Sequence, residues 1–187
     1  MQITITPTNV KDTKFYHPHV FLAGSIEQGS ASNWQTKAIS LFEGKAGLED
    51  LVIVNPRRDV WNPNLEQKAS NPEFDFQVSF ELNYIESVDA IVMWFEPGTK
   101  SPISLLELGL LAGQTSVGML NRLVVGCPEG FWRKGNVDIV CKRFNIPIVE
   151  TIEELVSEGA HLISRNFERR KGFIHYTESL HSKHLDR

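Results

Sequence analysis

Short, nearly all-apolar runs alternate with amphipathic stretches along this chain, and that alternation restricts it to very few architectures. Residues 20–23, 51–54, 90–95, 123–126 and 146–149 form the apolar runs, each too short for a buried helix and bounded by turn residues, so they are predicted to be strands. Residues 32–42, 73–87, 104–114, 136–144 and 152–169 carry helical patterns between and after them. Strands that alternate with helices must be joined by crossovers, which makes the strands parallel and buries the sheet under helices on both faces. The expected fold is an α/β, doubly wound parallel sheet. At 187 residues, with 41% hydrophobic and 22% charged residues, the chain suits one domain, expected over residues 1–170. Residues 171–187 are basic and His-rich without helical or metal-ligand spacing, and are expected to be a tail or an oligomer contact.

Ligands in such a fold bind at the carboxyl ends of the strands, so the segments that follow the apolar runs matter most. Gly24-Ser25, Asn55-Pro56, Glu96-Pro97-Gly98 and Cys127-Pro128-Glu129-Gly130 all stand there. The polar segment 58–72 carries Trp61 and is long enough to act as a lid. A net charge of −4 argues against a wide grip on a nucleic-acid polymer and leaves a small anionic ligand allowed. Cys127 and Cys141 are the two cysteines, with neither a CxxC nor a Cys/His metal spacing, which points to reduced thiols in a cytoplasmic compartment and to no metal site. The first ten residues are polar and no run approaches about 18 apolar residues, so neither secretion nor membrane insertion is expected.

Within Ser101-Pro102-Ile103-Ser104-Leu105-Leu106-Glu107-Leu108-Gly109 one carboxylate is set inside an apolar helix start. Burying it is costly unless it is paired or faces a cleft, so Glu107 is the first catalytic candidate, against the plainer reading of a helix-dipole partner. Glu81 shares a helix face with Gln77 at i, i+4 and offers a second carboxylate, although an exposed Glu on an amphipathic helix would look the same. Paired carboxylates are what glycosyl transfer requires, one to attack or stabilise the sugar cation and one to manage a proton or orient the sugar. Arg57, after Asn55-Pro56, could tie down Glu81 or hold an anionic substrate, whereas Arg58 and Asp59 also suit a solvated loop pair. Gly24-Ser25 permits close backbone approach to a ligand but lacks a dinucleotide fingerprint. Trp61 and Trp132 stand in loops where they could stack on a base, and Asn136 suits either a helix N-cap or a contact to a substrate hydroxyl.

In order along the chain, Val20-Phe21-Leu22-Ala23-Gly24-Ser25-Ile26, Asn55-Pro56-Arg57-Arg58, Gln77-Val78-Ser79-Phe80-Glu81, the run from Pro102 to Gly109 and the run from Gly130 to Val137 resemble the nucleoside 2-deoxyribosyltransferase family, in its transferase-like second branch. The resemblance implies a flavodoxin-like fold with a five-stranded sheet, and a homo-oligomer in which a neighbouring subunit completes the site. It also implies cleavage of the N-glycosidic bond of a 2′-deoxynucleoside, with the deoxyribosyl group held on a Glu and passed to another nucleobase or to water. Glu107, in its Glu-Leu-Gly context, matches the family nucleophile. Glu81 matches the acidic partner, where the better-known branch carries Asp. Asn136 falls within one residue of a subunit-crossing amide. Ser101 departs from the better-known transferases, which carry Asp six residues before the nucleophile. Related monophosphate hydrolases use Ser there for a 5′-phosphate, so Ser101 with Arg57 leaves a nucleotide hydrolase open. The C-terminal tail departs as well, and no role passes to Arg187.

The implied partners are a small-molecule nucleoside or nucleotide and a nucleobase, with no metal, organic cofactor, nucleic-acid polymer or membrane. The competing reading is a non-catalytic nucleotide-binding sensor using Gly24, Arg57 and Ser101. The pair Glu81 and Glu107 disfavours it, because a pocket for an anion has no evident use for two carboxylates.

Overall fold

The computed structural model describes residues 2–10, 16–62, 64–116 and 121–185, of which 115–116 and 174–185 are described by backbone alone. Among the described residues there are six strands: β1 (Ile3–Ile5), β2 (His19–Gly24), β3 (Val52–Val54), β4 (Ala90–Trp94), β5 (Leu123–Gly126) and β6 (Ile148–Val149). They pair in parallel in the order β1-β3-β2-β4-β5-β6. Without β1 this is the flavodoxin-like order, in which the chain reverses direction across the sheet between the first and third strands of the set, here β2 and β4.

The expected five strands are thus joined by a sixth. β1 carries no apolar run in the sequence because it is an edge strand of three residues with only Ile5 fully buried.

Alternation along β2 explains the two cores. Val20 and Leu22 point to one face, where they meet Trp34, Ala38 and Phe42 of α1 (Trp34–Glu43) and Leu155 and Ile163 of α5 (Ile152–Leu185). Phe21 and Ala23 point to the other, packing with Phe80 and Ile85 of α2 (Pro72–Ser87), Leu108 and Leu111 of α3 (Pro102–Ser116) and Val137 and Cys141 of α4 (Lys134–Arg143).

Helix starts follow local chemistry. Asn33 accepts a bond from the Thr36 amide at 3.3 Å, and Asn71 accepts from Glu73 at 3.0 Å and Phe74 at 3.3 Å with Pro72 in the first turn. The N-cap position of α4 falls on Arg133, so Asn136 is not the cap: it lies inside the helix on its exposed side. α5 also overruns its expected end and continues as helix to Leu185 through the segment read as a tail. After Arg169 the only strong helix-weakening residue before Leu185 is Gly172, at about 1 kcal/mol, and a lost apolar stripe does not by itself end a helix.

α5 is fastened to the amino-terminal edge of the sheet by a buried carboxylate. Asp89 accepts from Arg170 Nε and Nη2, both at 2.8 Å, and from the His19 amide at 2.8 Å, while Asn166 donates to the Asp89 carbonyl at 2.9 Å. Removing one member of such a pair strands the other charge. Asp89→Ala is therefore expected to cost roughly 3–5 kcal/mol, read as a lowered urea midpoint at unchanged denaturant slope.

Candidate active site

The carboxyl ends of β2 and β4 lie side by side, and the chain is built to let them. Gly24 has φ +128°, and a Cβ there would stand 2.2 Å from the Trp94 carbonyl oxygen, so no side chain fits. Ser25 follows, fully buried, and donates its amide to that same carbonyl at 2.8 Å. Its hydroxyl lies 2.6 Å from the Ser101 hydroxyl and 3.1 Å from that of Thr99, and accepts the Glu96 amide at 2.9 Å. Trp34 Nε1 donates to the Ser25 carbonyl at 3.0 Å. Ser25 thus ties the loop after β2 to the loop after β4, and its contacts are internal.

That tie sets where α3 begins. Ser101 has φ +45° and Pro102 opens the helix. Ser101, Ser104 and Glu107 follow at spacing three along one face and are all buried, with 5%, 4% and 9% of their surfaces exposed. The opposite side carries Ile103, Leu106 and Leu110, exposed by 59%, 70% and 44%. The first turns of α3 therefore carry polar groups inward, beside Leu105 on the core, and large apolar groups outward.

α2 brings the second carboxyl. Gln77 Nε2 donates to Glu81 Oε1 at 2.6 Å and to the Pro56 carbonyl at 3.0 Å, and its Oε1 accepts Arg58 Nε at 2.6 Å. Arg58 also pairs with the Glu73 carboxylate. Burial raises the Glu81 carboxyl above its ordinary range, and the Gln77 bond and the Arg58 charge pull it partly back. Glu107 is pushed up to about 8, first by burial and then by the charge of Glu81. Burial and the Glu81 charge thus both drive Glu107 toward its protonated form.

Arg57 does not reach Glu81, contrary to one expectation. Its guanidinium donates to the carbonyls of Gly29 at 2.9 Å, Ala31 at 2.9 Å and Ser32 at 3.1 Å, fastening the loop that follows β2. Arg58, which equally suited a solvated pair with Asp59, comes nearer to it, bonding Gln77 and Glu73 and acting on Glu81 through its charge. Adjacent arginines on a loop give no sequence signal for which one turns inward. Asn55 accepts the Arg57 amide at 3.0 Å, which shapes the turn. Trp61 lies against Gly29 with its Nε1 buried and without a partner among the described residues, a packing position and not an open platform. Trp132 is half exposed, with the Lys100 ammonium 4.6 Å and the Arg133 guanidinium 4.3 Å from its ring. One further group had no signal: Glu27 Oε1 accepts the amides of Lys100 at 2.8 Å and Ser101 at 2.6 Å, ahead of α3.

A model of the family described as nucleoside 2-deoxyribosyltransferase like matches residues 17–131, well over half of the chain. The chain belongs to that family. The matched span of this nucleoside 2-deoxyribosyltransferase-like protein runs from ahead of β2 to the loop after β5 and holds Gly24, Gln77, Glu81, Ser101 and Glu107, while Asn136 lies beyond it. The fold is also similar to the crystal structure of a conserved protein from Enterococcus faecalis V583, at TM-score 0.54 and 9% identity over 78% of this chain and 98% of that one, a likeness of fold alone. No curated protein matches the sequence.

The raised Glu107 carboxyl has a consequence for stability. A carboxyl near 4.5 when unfolded and about 8 when folded binds more protons in the folded state between those values, so stability falls as pH rises through that window. Glu107→Gln removes that dependence. The variant is expected to melt above the parent at pH 8, by roughly 2–4 °C per kcal/mol recovered, with the difference shrinking toward pH 5 in a calorimetric series.

Proposed function

We propose that this protein cleaves the N-glycosidic bond of 2′-deoxynucleosides and transfers the deoxyribosyl group, through a glycosyl-enzyme on Glu107, to another nucleobase. The observation that carries this reading is the coupled pair of carboxyls, Glu107 buried on α3 and Glu81 partly buried on α2, in a family member. The pair holds one proton near neutral pH. As the C1′–N bond breaks, its electron pair goes to the base nitrogen, the shared proton goes to the departing base, and a Glu107 oxygen bonds C1′. A second base reverses each change: its nitrogen bonds C1′, the Glu107 oxygen leaves with the bonding pair, and the proton of the incoming base returns to the carboxyls. In this reading Glu81, braced by Gln77 and Arg58, keeps the charge that raises Glu107 and orients the sugar hydroxyls.

The working form we propose is a homo-oligomer acting in the cytoplasm, with the outward apolar stripe Ile103, Leu106 and Leu110 against a second copy. Covering that stripe brings a neighbour to the helix that carries Glu107, as a shared site requires.

Chromatography of the protein with deoxyinosine or thymidine, with and without free adenine, tests the reaction. A new deoxynucleoside that forms only with adenine is the expected result. Free base with free deoxyribose would establish a hydrolase instead, and no change in any mixture would favour the sensor. Glu107→Ala should lower turnover by about 10⁴-fold or more with the fold intact, and Glu81→Gln by less. Because the departing base needs the shared proton, kcat/KM should fall as pH rises through about 8. In Glu81→Gln that limb should move to lower pH, because the charge that raises Glu107 is gone. Leu106→Glu should shift the mass in light scattering toward the monomer.

A further inference from the structure

We infer that Glu27 makes the site select a 5′-hydroxyl over a 5′-phosphate, because its carboxylate already occupies the amides ahead of α3. This rests on the deoxyribosyl-transfer reading and names the substrate class for it. Amides that precede a helix attract an anion through their exposed N–H groups and the helix dipole. Here the anion comes from the chain itself: Glu27 Oε1 accepts Lys100 N at 2.8 Å and Ser101 N at 2.6 Å. Ser101 stands six residues before Glu107, roughly 9 Å along the helix axis, a separation that a deoxyribose with its 5′ substituent spans.

The carboxylate is held there by its loop. Glu27 and Gln28 have φ +49° and +53°, Arg57 grips the Gly29 and Ala31 carbonyls, and Trp61 lies against Gly29. Beside it opens a cavity of about 300 Å³ to which Glu96 and Lys100 also contribute. Glu96 adds a second carboxylate, bonded by Trp94 Nε1 at 2.6 Å. A doubly charged phosphate would meet both carboxylates and would have to displace Glu27 from the two amides. Arg57, the guanidinium that the sequence offered for a phosphate, is committed to loop carbonyls. A neutral hydroxyl meets no such repulsion, and Glu27 can accept its hydrogen bond.

The test compares the parent with Glu27→Gly, which suits the positive φ and opens the amides, and with Glu27→Gln, which keeps the length of the side chain without its charge. Each is assayed for kcat/KM with deoxyinosine and with deoxyinosine 5′-monophosphate, and is titrated with inorganic phosphate by calorimetry. The parent should prefer the nucleoside and show no phosphate heat. Both variants should shift the nucleoside-to-monophosphate ratio toward the monophosphate by about tenfold or more, and Glu27→Gly should gain phosphate binding. A parent that prefers the monophosphate, or an unchanged ratio in two folded and active variants, overturns the role of Glu27 and leaves the transfer reading standing. If the parent turns over neither substrate, the transfer reading falls. Phosphate binding then decides for Glu27: gained in Glu27→Gly it supports the exclusion, and unchanged it overturns it.

Discussion

The close approach of Gly24 to Trp94 is what allows loops from two different strands to share one cleft. A side chain at position 24 would collide with the Trp94 backbone, and the strand exits would have to part. With glycine there, Ser25 reaches across to the Trp94 carbonyl, the Glu96 amide and the Ser101 hydroxyl. Those bonds locate the start of α3 relative to the sheet, and α3 in turn locates Glu107. The candidate catalytic carboxyl is thus positioned by a chain of backbone and hydroxyl contacts that begins on the neighbouring strand, which is how a rigid sheet lends precision to a site at its edge.

The two carboxyls divide their roles through their surroundings. Glu81 has a hydrogen bond from Gln77 and the nearby charge of Arg58 to sustain ionisation, whereas burial and the charge of Glu81 both act on Glu107 to oppose it. Like charges in a desolvated space favour one proton shared between them, and the better-solvated partner keeps the charge. Gln77 is central to this asymmetry. It spends one N–H on Glu81, the other on the Pro56 carbonyl, and its oxygen on Arg58, so a single amide connects the loop after β3 to the helix that carries the second carboxyl.

Much of this was legible in the residue order, and the exceptions share a cause. Buried parallel strands are apolar on both faces, so β2 to β5 announced themselves, and the placement of helices between them followed. β1 did not, because an edge strand needs little apolar surface. The Glu81 and Glu107 pair was visible as two carboxylates on the helices either side of one strand. Their coupling, however, depends on side-chain direction. The choice between Arg57 and Arg58 turns on which guanidinium meets carbonyls and which meets an amide oxygen, and adjacency in sequence carries no information about that. Glu27 was invisible for a related reason: its partners are backbone amides 73 and 74 residues away, and backbone groups leave no trace in composition.

The reversed polarity of α3 connects the site to the outside of the molecule. An ordinary surface helix turns its apolar stripe to the core, and the second half of α3 does so with Leu108, Leu111 and Ala112. In the first half the inward side is taken mostly by Ser101, Ser104 and Glu107, with Leu105 alone of that half packed against the core, because that end of the helix overlooks the cleft. Ile103 and Leu106 then have nowhere to go but outward, yet nothing in the chemistry of an exposed helix calls for large aliphatic side chains there. Polar residues would satisfy solvent and leave the inward face untouched. An apolar run on both sides of a helix fits a segment that is covered twice, once by its own sheet and once by another body, and in the proposed oligomer Glu107 would lie between those two coverings, where water would be kept from the proposed glycosyl ester.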